Sequence, residues 1–159
     1  MPVRINVGLT KKVGQENFGS LGSSCHVEFE LDGGYDAILH PDVEFWSPIV
    51  FTPQKGRVIT KMYLTAAGGT IGGGNKSPEE RAAEDAEGKG FRYVREVLQG
   101  HDALLEFETT MAGKYVNGID LIRCDDDGWI VDFKVMIRPL QAVNLVHEQM
   151  MGMLEKLQG

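Results

Sequence analysis

The sequence predicts an α+β fold: a helix, then four antiparallel strands in two hairpins, then a closing helix. Three observations lead there. Ile59, Met62, Tyr63 and Ala66 fall at i, i+3, i+4 and i+7 and give residues 57–71 one apolar stripe. Residues 91–137 hold apolar runs of strand length, broken by turn residues at Gln99-Gly100-His101-Asp102 and Asp125-Asp126-Asp127-Gly128. After Pro139, the residues Leu140, Val143, His147, Met150, Met151, Leu154 and Leu157 line one side of a helix.

Taken in order, "VRINVGL" and "CHVEFEL" alternate like strands around the turn-rich "GQENFGSLGSS". Residues 1–34 thus form a β-rich extension that Gly33-Gly34 separates from a domain over 35–159. "DVEFWSPIVF" is rich in strand formers and bends at Pro48. Gly68 and Gly69 end the first helix. An insertion over about 72–90 follows. In it, "SPEERAAEDAEG" has Ser77 as N-cap, Pro78 at the first position and Glu80 at the capping-box position. With almost no apolar face, that helix should be solvated.

Composition excludes several classes. The chain has 159 residues and a net charge of −7, so no global field draws nucleic acid or an anionic membrane. Apolar runs are far too short for a membrane span, and "MPVRINVGLTKK" lacks the apolar core of a signal peptide. Cys25 and Cys124 have no ligand spacing, so a reduced, cytoplasmic protein is expected. "GGTIGGGNKS" fails the phosphate-loop pattern because Asn75 interrupts it and a helix precedes it. "CDDDGW" reads as a hairpin turn with Gly128 left-handed, not a calcium loop. No cofactor and no metal are expected.

Asp120 stands among Ile119, Leu121 and Ile122 in a strand. A four-residue turn between Cys124 and Trp129 sets Asp120 opposite Phe133, Ile122 opposite Val131 and Gly118 opposite Val135. One face then carries Val116, Gly118, Asp120, Ile122 and Cys124 against the apolar residues of the next strand. Asp120 therefore points inward. A buried carboxyl must be protonated or hydrogen-bonded. It either anchors a ligand or bonds a backbone or tyrosine group and holds the sheet.

"HPDVEFWSPIVFTPQKGR" and the run from "FRYVREVL" to "NGIDLIRCDDDGWIVDFKVMIRPLQAVN" resemble the nuclear transport factor 2-like superfamily, in its SnoaL-like branch, over about residues 36–157. That resemblance implies a curved antiparallel sheet around a cone-shaped pocket, as in cystatin-like folds, with packing helices. The usual N-terminal helices are replaced here by the strand–loop–strand segment. Family members include ketosteroid isomerases, polyketide cyclases, epoxide hydrolases and dehydratases. Asp120 matches the aspartate that donates to the oxyanion in the isomerases. Ser47 falls at or near the position of their general base, and a serine does not abstract a carbon-bound proton unaided.

The expectation is a small-molecule-binding protein for a hydrophobic, polyketide- or steroid-like compound, acting as isomerase, cyclase or dehydratase. Asp120 is the polar anchor or acid. Trp46, Tyr63, Phe107, Trp129 and Phe133 are candidate walls, with His40 at the mouth. The alternative is a non-catalytic interaction module. In either case a homodimer through the outer sheet face is expected, at Asn117, Ile119, Leu121 and Met136.

Overall fold

The computed structural model describes residues 34–159, except for the side chains of residues 157 and 158, and two short strands nearer the N-terminus. Those strands, β1 (Val3–Asn6) and β2 (His26–Phe29), pair antiparallel as a sheet of their own, with Val3 opposite Phe29. The rest of the strand–loop–strand reading lies outside the described residues.

A curved sheet of six strands carries the remainder. β3 (Leu39–Trp46), β4 (Gln54–Lys55), β5 (Arg92–Gln99), β6 (Asp102–Met111), β7 (Lys114–Cys124) and β8 (Ile130–Arg138) lie in the order β4-β3-β8-β7-β6-β5. The two expected hairpins, β5–β6 and β7–β8, are present. The sheet is mixed, not wholly antiparallel, because β3 runs parallel to β8. No hairpin joins these two strands. The whole of β5–β7 and a helical segment lie between them, and a long crossover permits parallel pairing.

Helix α1 (Arg57–Gly69) forms where its period predicts, but its buried side is centred on Thr60, Leu64 and Ala66. Thr60 tolerates burial because its hydroxyl donates to the Gly56 carbonyl at 2.8 Å. Helix α2 (Pro78–Ala86) has the capping box read from sequence and buries none of its residues. Glu80 N donates to Ser77 Oγ, and Ser77 N donates to Glu80 Oε2. Lys76, at the end of the glycine-rich stretch, ties this insertion to the sheet through Glu84 and the Thr110 carbonyl.

The last helix, α3 (Leu140–Gln158), buries Ala142, Val146, Met150 and Leu154. The stripe is rotated from the expected one: His147 is exposed, as are Leu140 and Met151. The expected residues straddle two neighbouring rows of the helix. The row that packs on α1 and β8 is the one opened by the small Ala142.

The second hairpin also needs a correction. Asp120 is opposite Val135, Ile122 opposite Phe133 and Gly118 opposite Ile137, two residues along from the four-residue-loop register. A bulge lies between the Arg123–Asp132 and Cys124–Ile130 pairs, with Val131 as the extra residue. Ile130 therefore faces the core in place of Val131. An even shift preserves the faces, so Asp120 still points inward. The turn is built by Asp125, whose Oδ1 accepts from the Asp127 and Trp129 amides, each at 2.9 Å. Gly128 takes φ 89°, as the turn reading requires.

Gly118 fixes the packing beside Asp120. A Cβ there would meet the Phe107 ring and come within 2.8 Å of the Met136 carbonyl oxygen. Phe107, its cross-strand partner, is buried and lies across the space a side chain would fill. Gly118→Ala is expected to cost about 1–3 kcal/mol by overpacking. A thermal melt checks this, and an unchanged midpoint would mean that the ring does not lie over β7.

Candidate functional site

Asp120 is held by strand alternation on the inward face. Leu105 of β6 and Val135 of β8 flank it, and Gly118 and Ile122 precede and follow it on the same face. The side chain is only 9% exposed. Burial pushes its carboxyl up from the usual value of about 3.9 to about 7, against the smaller opposing effect of one hydrogen bond. That bond comes from Tyr93 of β5, whose hydroxyl donates to Asp120 Oδ2 at 3.1 Å.

Two phenols share this environment. Tyr93 is pushed well above its ordinary value, first by burial and then by the negative charge of Asp120. Tyr35, in a short 3-10 turn at Tyr35–Ala37, is 1% exposed and is raised for the same two reasons. Both are neutral hydrogen-bond donors at physiological pH, beside a carboxyl that is half protonated near neutrality. Phe91 stacks on Phe107 and meets Tyr93 edge-on, each with centroids 5.2 Å apart, and keeps that side apolar.

Phe107 lies one row from Asp120 on one side, opposite Gly118, and Phe133 lies one row away on the other, opposite Ile122. Tyr63 reaches the same side through Phe45, which it meets at 5.3 Å, and Phe45 meets Phe133 at 5.9 Å. The other three expected residues are elsewhere. Trp46 points away from the face of Phe45. Its indole N–H donates to Asp132 Oδ2 at 2.9 Å, and the Lys134 ammonium sits 4.8 Å from its ring. Trp129 lies in the turn beyond Cys124, under the Arg57 guanidinium at 5.5 Å. His40 is engaged locally, its Nδ1 accepting from the Asp42 amide at 3.0 Å. Ser47 Oγ accepts from the amides of Ile49 and Val50, so it shapes the bend at Pro48.

Tyr35 and Tyr93 were not among the expected site residues. Tyr93 was visible as a strand tyrosine, but its facing depends on an irregularity in β5 that no residue type announces.

The fold compares with solved structures. The chain is similar to a steroid delta-isomerase from Pseudomonas aeruginosa, with 30% identity and a TM-score of 0.66 over 81% of this chain and 82% of that one. The chain belongs to the nuclear transport factor 2-like superfamily. It is also similar to a protein with a cystatin-like fold from Silicibacter pomeroyi, at 28% identity and a TM-score of 0.60, over 74% of this chain and 72% of that one. A nuclear transport factor 2-like protein of unknown function from Mesorhizobium loti, 17% identical over 67% of this chain and 77% of that one, shares the fold with a TM-score of 0.51. No protein-family model matches the chain, and no curated protein does. Among the described residues of this superfamily member, no helix is long and apolar enough to cross a membrane.

The buried carboxyl makes stability depend on pH. The folded chain holds a proton on Asp120 that the unfolded chain has already released between about pH 4 and about pH 7. Stability from this group is therefore full below about pH 4 and falls by about 1.4 kcal/mol per unit as pH rises to about 7. Asp120→Asn should remove that decline. The check is urea unfolding of both proteins at pH 5 and pH 8, where equal pH dependence would place Asp120 in water.

Proposed function

We propose that this protein binds a small hydrophobic carbonyl compound, with the carbonyl oxygen on Asp120, and that it belongs with the isomerase-type proton-transfer enzymes of its superfamily. The observation that carries this reading is the carboxyl of Asp120, buried among Leu105, Val135 and Phe107, pushed up to about 7, and given a hydrogen bond by Tyr93. Its two oxygens have different work. Oδ2 accepts from Tyr93, and Oδ1, when protonated, donates to the ligand. An acid held neutral in an apolar site gives a stronger hydrogen bond to an oxygen as negative charge develops there. An enol or enolate develops such charge. The similarity to a steroid delta-isomerase supports a ring ketone as the substrate class.

Binding without turnover is the second reading, and Ser47 favours it. It matches the base position of the isomerases but carries a hydroxyl that accepts two turn amides. A cytoplasmic homodimer accords with both readings. On the outer face Met136 is 45% exposed, with Ile119 and Leu121 half-buried around it.

The test uses 2-naphthol, an apolar phenol that imitates an enol, followed by its fluorescence. The wild-type chain should bind it. Asp120→Leu keeps the site apolar and removes the anchor, so affinity should fall about tenfold to a hundredfold while the fold survives. Equal affinity in a folded Asp120→Leu protein would sink the reading.

A further inference from the structure

We propose that the insertion between α1 and β5 is a lid. Phe91 covers the Tyr93–Asp120 pair, Lys76 latches α2 to β6, and the segment swings about glycines at its two ends to uncover the carboxyl. This goes beyond the carbonyl-anchor reading, which gives Asp120 a partner but no route to it, and the closing experiment needs no ligand.

The packing around Asp120 requires a moving part. Leu105 and Phe107 beside it are 0% and 2% exposed. The inner face is closed there, so a ligand meets the carboxyl only after a covering side chain has left. No route runs between β6, β7 and β8, which are laddered to one another over the whole row. The nearer open edge of the sheet is β5.

Two aromatic side chains reach over the inner face from that edge. The β5 ladder shifts between Tyr93 and Arg95, with Val94 as the extra residue of a bulge, and this sets Tyr93 opposite Phe107. The Tyr93 hydroxyl then reaches Asp120. Phe91 stands just before the first ladder pair, Arg92–Glu108, so its backbone lies outside the sheet. Its ring stacks on Phe107 and stands edge-on to Tyr93. Phe91 can leave without breaking a ladder pair, whereas Tyr93 cannot. It is the movable part of the cover.

α2 is coupled to Phe91 by contact as well as by chain. A Cβ at Gly90 would collide with the Asp85 carboxylate, so Asp85 of α2 rests on the residue before Phe91. The helix buries none of its own residues, so burial of apolar area does not hold it down. A polar latch does. Lys76 Nζ meets Glu84 Oε2 at 2.5 Å and donates to the Thr110 carbonyl oxygen at 2.6 Å. Glu84 belongs to α2 and Thr110 to β6, so one ammonium joins the helix to the sheet. Partly exposed ion pairs stabilise little, and segments without buried apolar contacts open far more readily than the core.

The hinges flank the helix. Gly73 has φ 77° and Gly88 has φ 69°. Glycine moves between left- and right-handed backbone at little cost, which lets such positions absorb a swing. The capping box at Ser77 and Glu80 keeps α2 a single rigid piece as it moves.

The experiment measures alkylation by iodoacetamide, followed by mass spectrometry, in the full chain carrying Cys25→Ser and Cys124→Ala. Asp120→Cys is the reporter. Ile122→Cys is the control, because Ile122 is fully buried on the same face but one row further from Phe107, opposite Phe133. Lys76→Met keeps the side-chain stem and removes the ammonium. It should raise the labelling rate of Asp120→Cys about tenfold by populating the open form. Gly90→Ala pushes Asp85 away and should raise that rate as well. Neither change should alter the rate of Ile122→Cys by more than about twofold. Unchanged labelling of Asp120→Cys in both folded variants would overturn the lid. So would an equal rise at both thiols, which would mean that the whole sheet loosens. If Asp120→Cys does not fold, Leu105→Cys, opposite Asp120 in the same row, serves as reporter with the same two outcomes.

Discussion

The fixed register of β6, β7 and β8 is the constraint on which the site depends. β6 and β7 pair without interruption from Asp102–Arg123 to Met111–Lys114, and β8 follows β7 from Asn117–Arg138 to Arg123–Asp132. Because faces alternate along each strand, that ladder puts Leu105, Asp120 and Val135 side by side on the inner face. The carboxyl cannot turn to water without slipping the pairing by one residue, which would send Val116, Ile122 and Cys124 of the same strand outward with it. The apolar row that stabilises the sheet therefore enforces the burial of the acid. Ionising it at its position costs roughly 4 kcal/mol more than in water, even after the Tyr93 bond has offset part of the effect of burial.

The face of Asp120 was legible from sequence even though the register was not. Cys124 to Trp129 looked like a four-residue turn, and the true pairing is offset by two because Val131 bulges. Parity survived the error, since alternation of Gly118, Asp120 and Ile122 already decided the side. The capping box at Ser77 and the left-handed Gly128 were readable for a similar reason: each is fixed by residues within a few positions. What sequence did not give depends on distant partners. The direction of β3 is set by its neighbour β8, not by any turn. The buried row of α3 is chosen by α1 and β8, and helix periodicity alone does not tell Ala142-Val146-Met150 from the adjacent row that contains His147.

Aromatic residues needed the same distant information. Trp46 and Phe45 are adjacent and equally apolar, but alternation allows only one of them inward. Phe45 takes that side against Phe133 and Tyr63. Trp46 goes outward, where the Asp132 carboxylate takes its indole hydrogen and Lys134 covers its ring. A tryptophan can accept that position because its N–H finds a partner there, whereas a phenylalanine gains most by full burial.

The two bulges do complementary work. In β8, Val131 turns Ile130 into the core and closes the sheet near the hairpin end. In β5, Val94 brings Tyr93 over Phe107 while leaving Glu96 over Leu105. A regular β5 would have to give up one of those placements: either the hydrogen bond to Asp120 or the carboxylate at the edge of its row. An irregular pair on an edge strand also disturbs the backbone edge that another strand would use for pairing. The hydrogen-bonded pair on the inner face, Asp120 and Tyr93, thus comes from one interior strand, where alternation forces burial, and from one edge strand, where a single inserted residue sets the aim. Leu105 lies between them as the residue that neither can displace.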